Sequence, residues 1–226
     1  MKSFSYQRDY WTAFANGQQK DKLSRDLHGS WDEESQSYSE VTEIPEEFLE
    51  IISSETKKEL VLDLGVGMGR NYDYLDSNFV KVWGYDTPQM IRRLKDHKEN
   101  VNVSSSLESI FSRNYDLVYE SVSLQHMPPQ EVIMYLVEVS KRSKYFFSWT
   151  RCYNDYLRDF NSMKGGVNML KLVGSLNAFE LLECSIPPRE ASVKMDETHY
   201  KVLYRSKNYE ERGAVSINSD GTVINH

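Results

Sequence analysis

The sequence predicts an α/β protein, a doubly wound sheet of about seven mostly parallel strands with helices on both faces. Three observations carry that expectation. Short aliphatic runs alternate with amphipathic stretches from residue 60 to residue 150. Three glycines at alternate positions, Gly65, Gly67 and Gly69, directly follow the first aliphatic run. Prolines stand where helices would open, at Pro45, Pro88 and Pro128-Pro129.

Along the chain, a helix is expected around Asp9 to Phe14, then a loop of glycine, serine and charged residues. Pro45 opens a second helix, with Phe48, Leu49 and Ile52 on one face. Leu60 to Leu64 reads as the first strand and runs into the glycine turn. Lys81 to Tyr85 is the second strand. Thr87-Pro88 then supplies an N-cap and a first-turn proline for a helix that buries Met90, Ile91 and Leu94. Val101 and Val103 mark a third strand, and Ser105 with Glu108 has capping-box spacing for a short helix. Tyr115 to Ser121 is the fourth strand. The helix opened by Pro128-Pro129 places Val132, Ile133, Leu136, Val137 and Val139 on adjoining rows. Tyr145 to Trp149 is the fifth strand. A mixed segment broken by Gly165-Gly166 leads to a helical face of Met169, Leu170, Leu172, Val173 and Leu176. Phe179 to Cys184 and Tyr200 to Tyr204 complete the core. The terminal AVSINSDGTVINH alternates around Asp220-Gly221 and reads as a hairpin or a loose tail. These elements divide one domain, 1–226, into an N-terminal helical cap (1–58), a core (59–206) and a tail or hairpin (207–226).

The chain has 226 residues, 39% of them hydrophobic, enough for one globular core. A formal net charge of -7 argues against a large nucleic-acid footprint. Two cysteines, Cys152 and Cys184, fit neither a metal-ligand spacing nor a disulfide framework, so no metal is expected. The N-terminus lacks an apolar leader core and no run is long enough to span a bilayer; a cytoplasmic protein with no membrane partner is expected. The oligomeric state is open, with the terminal hairpin a candidate pairing element.

A strand that stops at a glycine turn and feeds a helix makes a cradle for a nucleotide-like ligand, because outward N–H groups and missing Cβ atoms admit close approach. The dinucleotide fingerprint is G-x-G-x-x-G, whereas this chain has G-x-G-x-G, which weakens a nicotinamide-dinucleotide reading. Asp86, at the end of the second strand, stands at the distance expected of a ribose-hydroxyl acceptor.

VLDLGVGMG, VWGYDTPQMI and YDLVYESVSLQHMPP, in that order, resemble a class I S-adenosylmethionine-dependent methyltransferase of the kind acting mostly on small molecules. The likeness runs from about Glu59 to Arg205 and implies a Rossmann-like sheet with S-adenosylmethionine as cofactor. It also implies site roles. Asp63, Gly65 and Gly67, with Gly69 closing the loop, would surround the methionine half, and Asp86 would accept from both ribose hydroxyls. Thr87, Pro88 and Met90 would wall ribose and adenine. An acidic residue usual after the third strand is replaced by Ser105 or Ser106, with Leu107 flanking the adenine. Glu120 and Ser121 would stand at the mouth of the fourth strand, beside the methyl.

The other candidates carry two readings each. His126 is a general base or a residue packed beside the cofactor. Glu120 is a catalytic or substrate contact, or a solvated strand end. Asp63 binds the ligand or caps a helix. Trp11, with Tyr10 and Phe14, forms a lid over the substrate or packs the first helix. Arg151 binds an anionic substrate group or is an ordinary surface arginine. The resemblance implies methyl transfer to oxygen or nitrogen of a small-molecule acceptor. The alternatives are a protein or nucleic-acid acceptor, or a binding module without transfer. ESVSLQHM lacks the Asn/Asp-Pro-Pro-aromatic tetrapeptide of exocyclic-amine DNA and RNA methyltransferases, and neither cysteine follows a proline.

Overall fold

The computed structural model describes residues 31–32, 37–38, 41–152, 167–185, 198–210, 215–217 and 223–225. The expected helix at Asp9 to Phe14 and the Gly165-Gly166 break lie outside them. The core is an open seven-stranded sheet: β1 (Leu60–Leu64), β2 (Lys81–Tyr85), β3 (Val103–Ser104), β4 (Tyr115–Ser121), β5 (Ser143–Cys152), β6 (Phe179–Ser185) and β7 (Thr198–Ser206). Their spatial order is β3-β2-β1-β4-β5-β7-β6. β1 to β5 are mutually parallel, while β7 runs antiparallel to both β5 and β6. The strand order reverses between β1 and β4, which opens a crevice at their carboxyl ends.

Among the described residues six α-helices accompany the sheet: α1 (Glu46–Glu55), α2 (Tyr72–Asn78), α3 (Pro88–His97), α4 (Leu107–Phe111), α5 (Pro129–Arg142) and α6 (Met169–Ser175). Strand alternation sends successive side chains to opposite faces, and so divides the core in two. On one face Val61, Leu117, Tyr119, Tyr145 and Phe147 pack against Phe48 and Ile52 of α1 and Leu75 of α2. On the other, Leu62, Leu64, Val118 and Phe146 meet α5 through Val132, Leu136 and Val139, and α6 through Met169, Leu172 and Val173. α3 packs Ile91 and Leu94 on Val66 of the glycine loop.

Most expected elements form where the sequence places them, and the departures are instructive. α1 is a layer helix, its Phe48 and Ile52 buried against the sheet, so this part of the expected cap belongs to the core. The region read as a loop before it contains a short antiparallel pairing of Trp31–Asp32 with Ser37–Tyr38. α4 is capped by Ser106, whose hydroxyl accepts from Ser109 N–H at 3.2 Å, one residue later than the Ser105 capping box. Three consecutive serines make adjacent registers equivalent in sequence. The chain's exit from β3 decides which hydroxyl reaches the helix. At the C-terminus Val215–Ile217 pairs antiparallel with Val223–Asn225, the hairpin alternative.

Candidate active site

The glycine loop sits in the crevice. Gly65, Gly67 and Gly69 all take positive φ, at 90°, 54° and 78°, where a side chain is strained. What surrounds them differs. A Cβ on Gly65 would lie 2.4 Å from Ser123 Cβ, and one on Gly69 would lie 2.9 Å from Leu94 Cδ1. At Gly67 the nearest neighbour is the Gly65 carbonyl oxygen at 4.0 Å. Two of the glycines thus accommodate the protein itself, and Gly67 is the one that faces open space. Ser123 reaches Gly65 because Val122 adopts φ 60°, a costly conformation for a β-branched residue, and turns the chain back over the loop. The turn is secured by Val122 N–H donating to Trp149 O at 2.9 Å and Ser123 Oγ donating to Leu64 O at 2.7 Å.

Asp86 leaves β2 beside this loop. Its Oδ2 accepts from Gly67 N–H at 2.9 Å and its Oδ1 from Thr87 N–H at 2.7 Å. Each oxygen keeps a lone pair for a further donor. Burial raises the carboxyl above its ordinary pKa, and the two backbone donors oppose that rise. Thr87 caps α3, its hydroxyl accepting from Met90 N–H at 3.4 Å, and Met90 is buried behind it. Leu107 is 38% exposed at the start of α4, on the far side of Ser106.

Asp63 is 1% exposed, and its Oδ2 has no hydrogen-bond partner among the described residues. A buried, unsatisfied carboxylate oxygen is costly and marks a place that a donor would fill. Desolvation raises its pKa to about 7, with Arg70 pulling it down and the negative charges of Asp86 and Glu120 pushing it up. On the same sheet face Ser121 Oγ accepts from Arg70 Nη2 at 2.9 Å and shares a hydrogen bond with Thr42 Oγ1 at 3.0 Å. Thr42 is tied further, its N–H to Asn71 Oδ1 at 2.9 Å and its carbonyl to Tyr119 OH at 2.7 Å. Residues 41–45 therefore strap the entry to α1 across the end of the sheet.

Glu120 departs from the expectation of a strand-mouth acid. It is 0% exposed, and Ser121 beside it projects to the opposite face. Its Oε1 accepts from Ser123 N–H at 2.6 Å and Leu124 N–H at 3.1 Å, and its Oε2 from Ser148 Oγ at 2.5 Å. The carboxylate is engaged in holding the turn that covers Gly65. His126 closes the 3-10 turn Leu124–His126 after β4. Trp11 lies outside the described residues, as do the side chains of His126 and Arg151. The fold thus gathers Asp63, Gly67, Asp86 and Ser121 around one crevice and adds Thr42, Arg70, Asn71 and Ser123, which sequence reasoning missed. Arg70 and Asn71 had a signal, since they directly follow the glycine run. Thr42 had none, because its role depends on a strap 29 residues from Asn71 in sequence.

A mostly parallel sheet with its switch point at a glycine loop, flanked by one carboxylate from β1 and one from the end of β2, is the doubly wound α/β architecture, in which ligands bind beyond the carboxyl ends of the strands. Residues 62–147 match the family model of a methyltransferase domain. Over that stretch the chain is similar to methyltransferases. Its fold resembles that of the N-methyltransferase NodS from Bradyrhizobium japonicum in complex with S-adenosyl-L-homocysteine, with 10% identity, TM-score 0.58, and coverage of 89% of this chain and 99% of that one. Magnesium protoporphyrin IX methyltransferase from Synechocystis with bound S-adenosylmethionine gives 12% identity, TM-score 0.55, and coverage of 91% and 100%. TehB from Haemophilus influenzae gives 22% identity, TM-score 0.50, and coverage of 74% and 64%. No curated protein matches the chain in sequence. Among the described residues no helix is long and apolar enough to cross a membrane, and no His/Cys/Asp/Glu group could hold a metal ion.

Proposed function

We propose that the protein transfers a methyl group from S-adenosylmethionine to oxygen or nitrogen of a small-molecule acceptor. The carrying observation is the unpartnered Asp63 Oδ2 beside the open face of Gly67. A buried carboxylate oxygen there suits an ammonium, and the bare backbone suits a flat approach by an amino-acid arm. Asp86, with a lone pair left on each oxygen, accepts from the ribose hydroxyls. Thr87 and Met90 wall the sugar and base, and Ser106 and Leu107 meet the adenine.

The bound sulfonium supplies an activated methyl group. The chain's share is to hold the acceptor atom in line behind it and to keep water out. Ser121 and Trp149, at the carboxyl ends of β4 and β5, stand where an acceptor would lie. An amine acceptor needs no protein base in its neutral form, and a hydroxyl acceptor gives its proton to His126. Glu120 acts as a positioning residue through the Val122 turn. The acidic net charge, and the magnesium protoporphyrin IX named for one fold relative, favour a small acceptor over nucleic acid. Incubating the protein with methyl-labelled cofactor and panels of small amines, phenols and carboxylic acids, with nucleic-acid and protein controls, tests the reading. Label in a small molecule supports it; label only in a macromolecule refutes it.

A further inference from the structure

Three strands build the rung of the sheet at the acceptor side of the crevice. Ser121 of β4 lies in register with Trp149 of β5, and Trp149 with Lys201 of β7, on the face that also carries Asp63. The strap fastens both flanks of this rung. Thr42 Oγ1 shares a hydrogen bond with Ser121 Oγ at 3.0 Å, and Lys201 Nζ donates to Glu43 O at 2.7 Å. Trp149 stands between them, and its carbonyl accepts from Val122 N–H at 2.9 Å, which ties its backbone to the end of β4.

β7 runs antiparallel to β5, so its first residues lie at the carboxyl edge of the parallel strands. His199 is there, two residues before Lys201 and on the same face. Its imidazole packs on the Trp149 indole, with ring centroids 5.1 Å apart and the planes tilted by 32°. Both side chains are half-buried. Their neighbours Ser121 and Thr42 carry small hydroxyls, so among the described residues the two rings supply the broad surface of this rim. Such a surface gives another flat ring dispersion and quadrupole contacts that a puckered, saturated ring does not match. We infer that the methyl acceptor is a planar aromatic compound bearing the hydroxyl or amine to be methylated, and that His199, packed on Trp149, is the specificity-determining residue that selects it. This rests on the reading of the protein as a small-molecule methyltransferase and adds the acceptor's class. β4 and β5 separate β7 from β1, so His199 stands apart from Asp63, Gly67 and Asp86, and its replacement separates acceptor choice from cofactor binding.

The test uses the full chain saturated with S-adenosylhomocysteine and two pairs of probes that differ in aromaticity: phenol with cyclohexanol, and 2-naphthol with decahydro-2-naphthol. Dissociation constants are read by NMR titration, with the indole N–H signal of Trp149 assigned through Trp149→Phe. The aromatic member of each pair is expected to bind about 10-fold tighter and to shift the Trp149 signal. His199→Leu should reduce that preference to about 3-fold or less, and His199→Phe should restore it. S-adenosylhomocysteine affinity should stay within about 2-fold in both variants, which also shows that they are folded. Equal affinity for aromatic and saturated members overturns the inference, as does a preference that His199→Leu leaves intact. So does failure of all four probes to bind the loaded protein, or loss of S-adenosylhomocysteine binding in both His199 variants, the mark of a structural residue. Each of these leaves the cofactor reading standing. Failure of the wild-type protein to bind S-adenosylhomocysteine overturns that reading itself, and the inference with it.

Discussion

At Asp63 a buried carboxyl titrates near neutrality, at about 7, so its charge state affects both folding and binding. The unfolded chain releases this proton near the ordinary aspartate pKa of about 4. Between those values the native state holds the extra proton, and the ligand-free fold loses stability as pH rises through the window, by on the order of a few kcal/mol in total. Asp63→Asn should therefore raise the Tm of the ligand-free protein at pH 8 and change it little at pH 4. Equal shifts at both pH values would refute the assignment. S-adenosylhomocysteine affinity of the wild type should fall as pH drops below 7, because an ammonium needs the ionised carboxylate. The glycines separate in the same way. Gly65→Ala meets Ser123 at 2.4 Å and should cost about 2 kcal/mol or more of stability, by denaturant melts. Gly67→Ala meets open space and should cost only about 1 kcal/mol for its φ of 54°, yet should weaken cofactor affinity more than Gly65→Ala does in the folded protein.

The β4–Val122–Ser123 turn shows how an element can be organised around one buried acid. Glu120 gathers the N–H groups of Ser123 and Leu124 and the hydroxyl of Ser148, and the strained Val122 is held between them. Removing the carboxylate strands these donors in the core. Glu120→Ala is expected to destabilise the fold by about 3 kcal/mol or more, and Glu120→Gln by less. Neither should reshape the pH profile of turnover in the folded fraction, which a catalytic base would do. Loss of a profile limb in Glu120→Gln with unchanged Tm would return this residue to a chemical role. Strand parity already separates Glu120 from Ser121 in the sequence. The identity of the face that carries the site is not encoded in that alternation, since both faces are covered by helices.

For the whole molecule, the crevice joins segments far apart in the chain: the strap at Thr42, the loop at 65–71, Asp86, and the ends of β4 and β5. A ligand that bridges them stabilises all at once. S-adenosylhomocysteine at about 100 times its Kd should add about 2.7 kcal/mol and raise Tm by roughly 5–10 °C, whereas a nicotinamide dinucleotide should not. A flat response to the former would refute the cofactor assignment.

The strands, most helices and the ligand loop were legible because period-2 and period-3.6 patterns, capping residues and glycine spacing are local signals. β1, β2 and β4 occupy the residues their patterns mark, and Asp86 follows β2 at the expected place. Tertiary structure alone decided what each glycine makes room for, which of two adjacent carboxyl-end residues faces the crevice, and that Thr42 and Arg70 belong to it. Those outcomes are set by contacts between distant segments, Ser123 on Gly65 and Thr42 on Asn71, which no local pattern records.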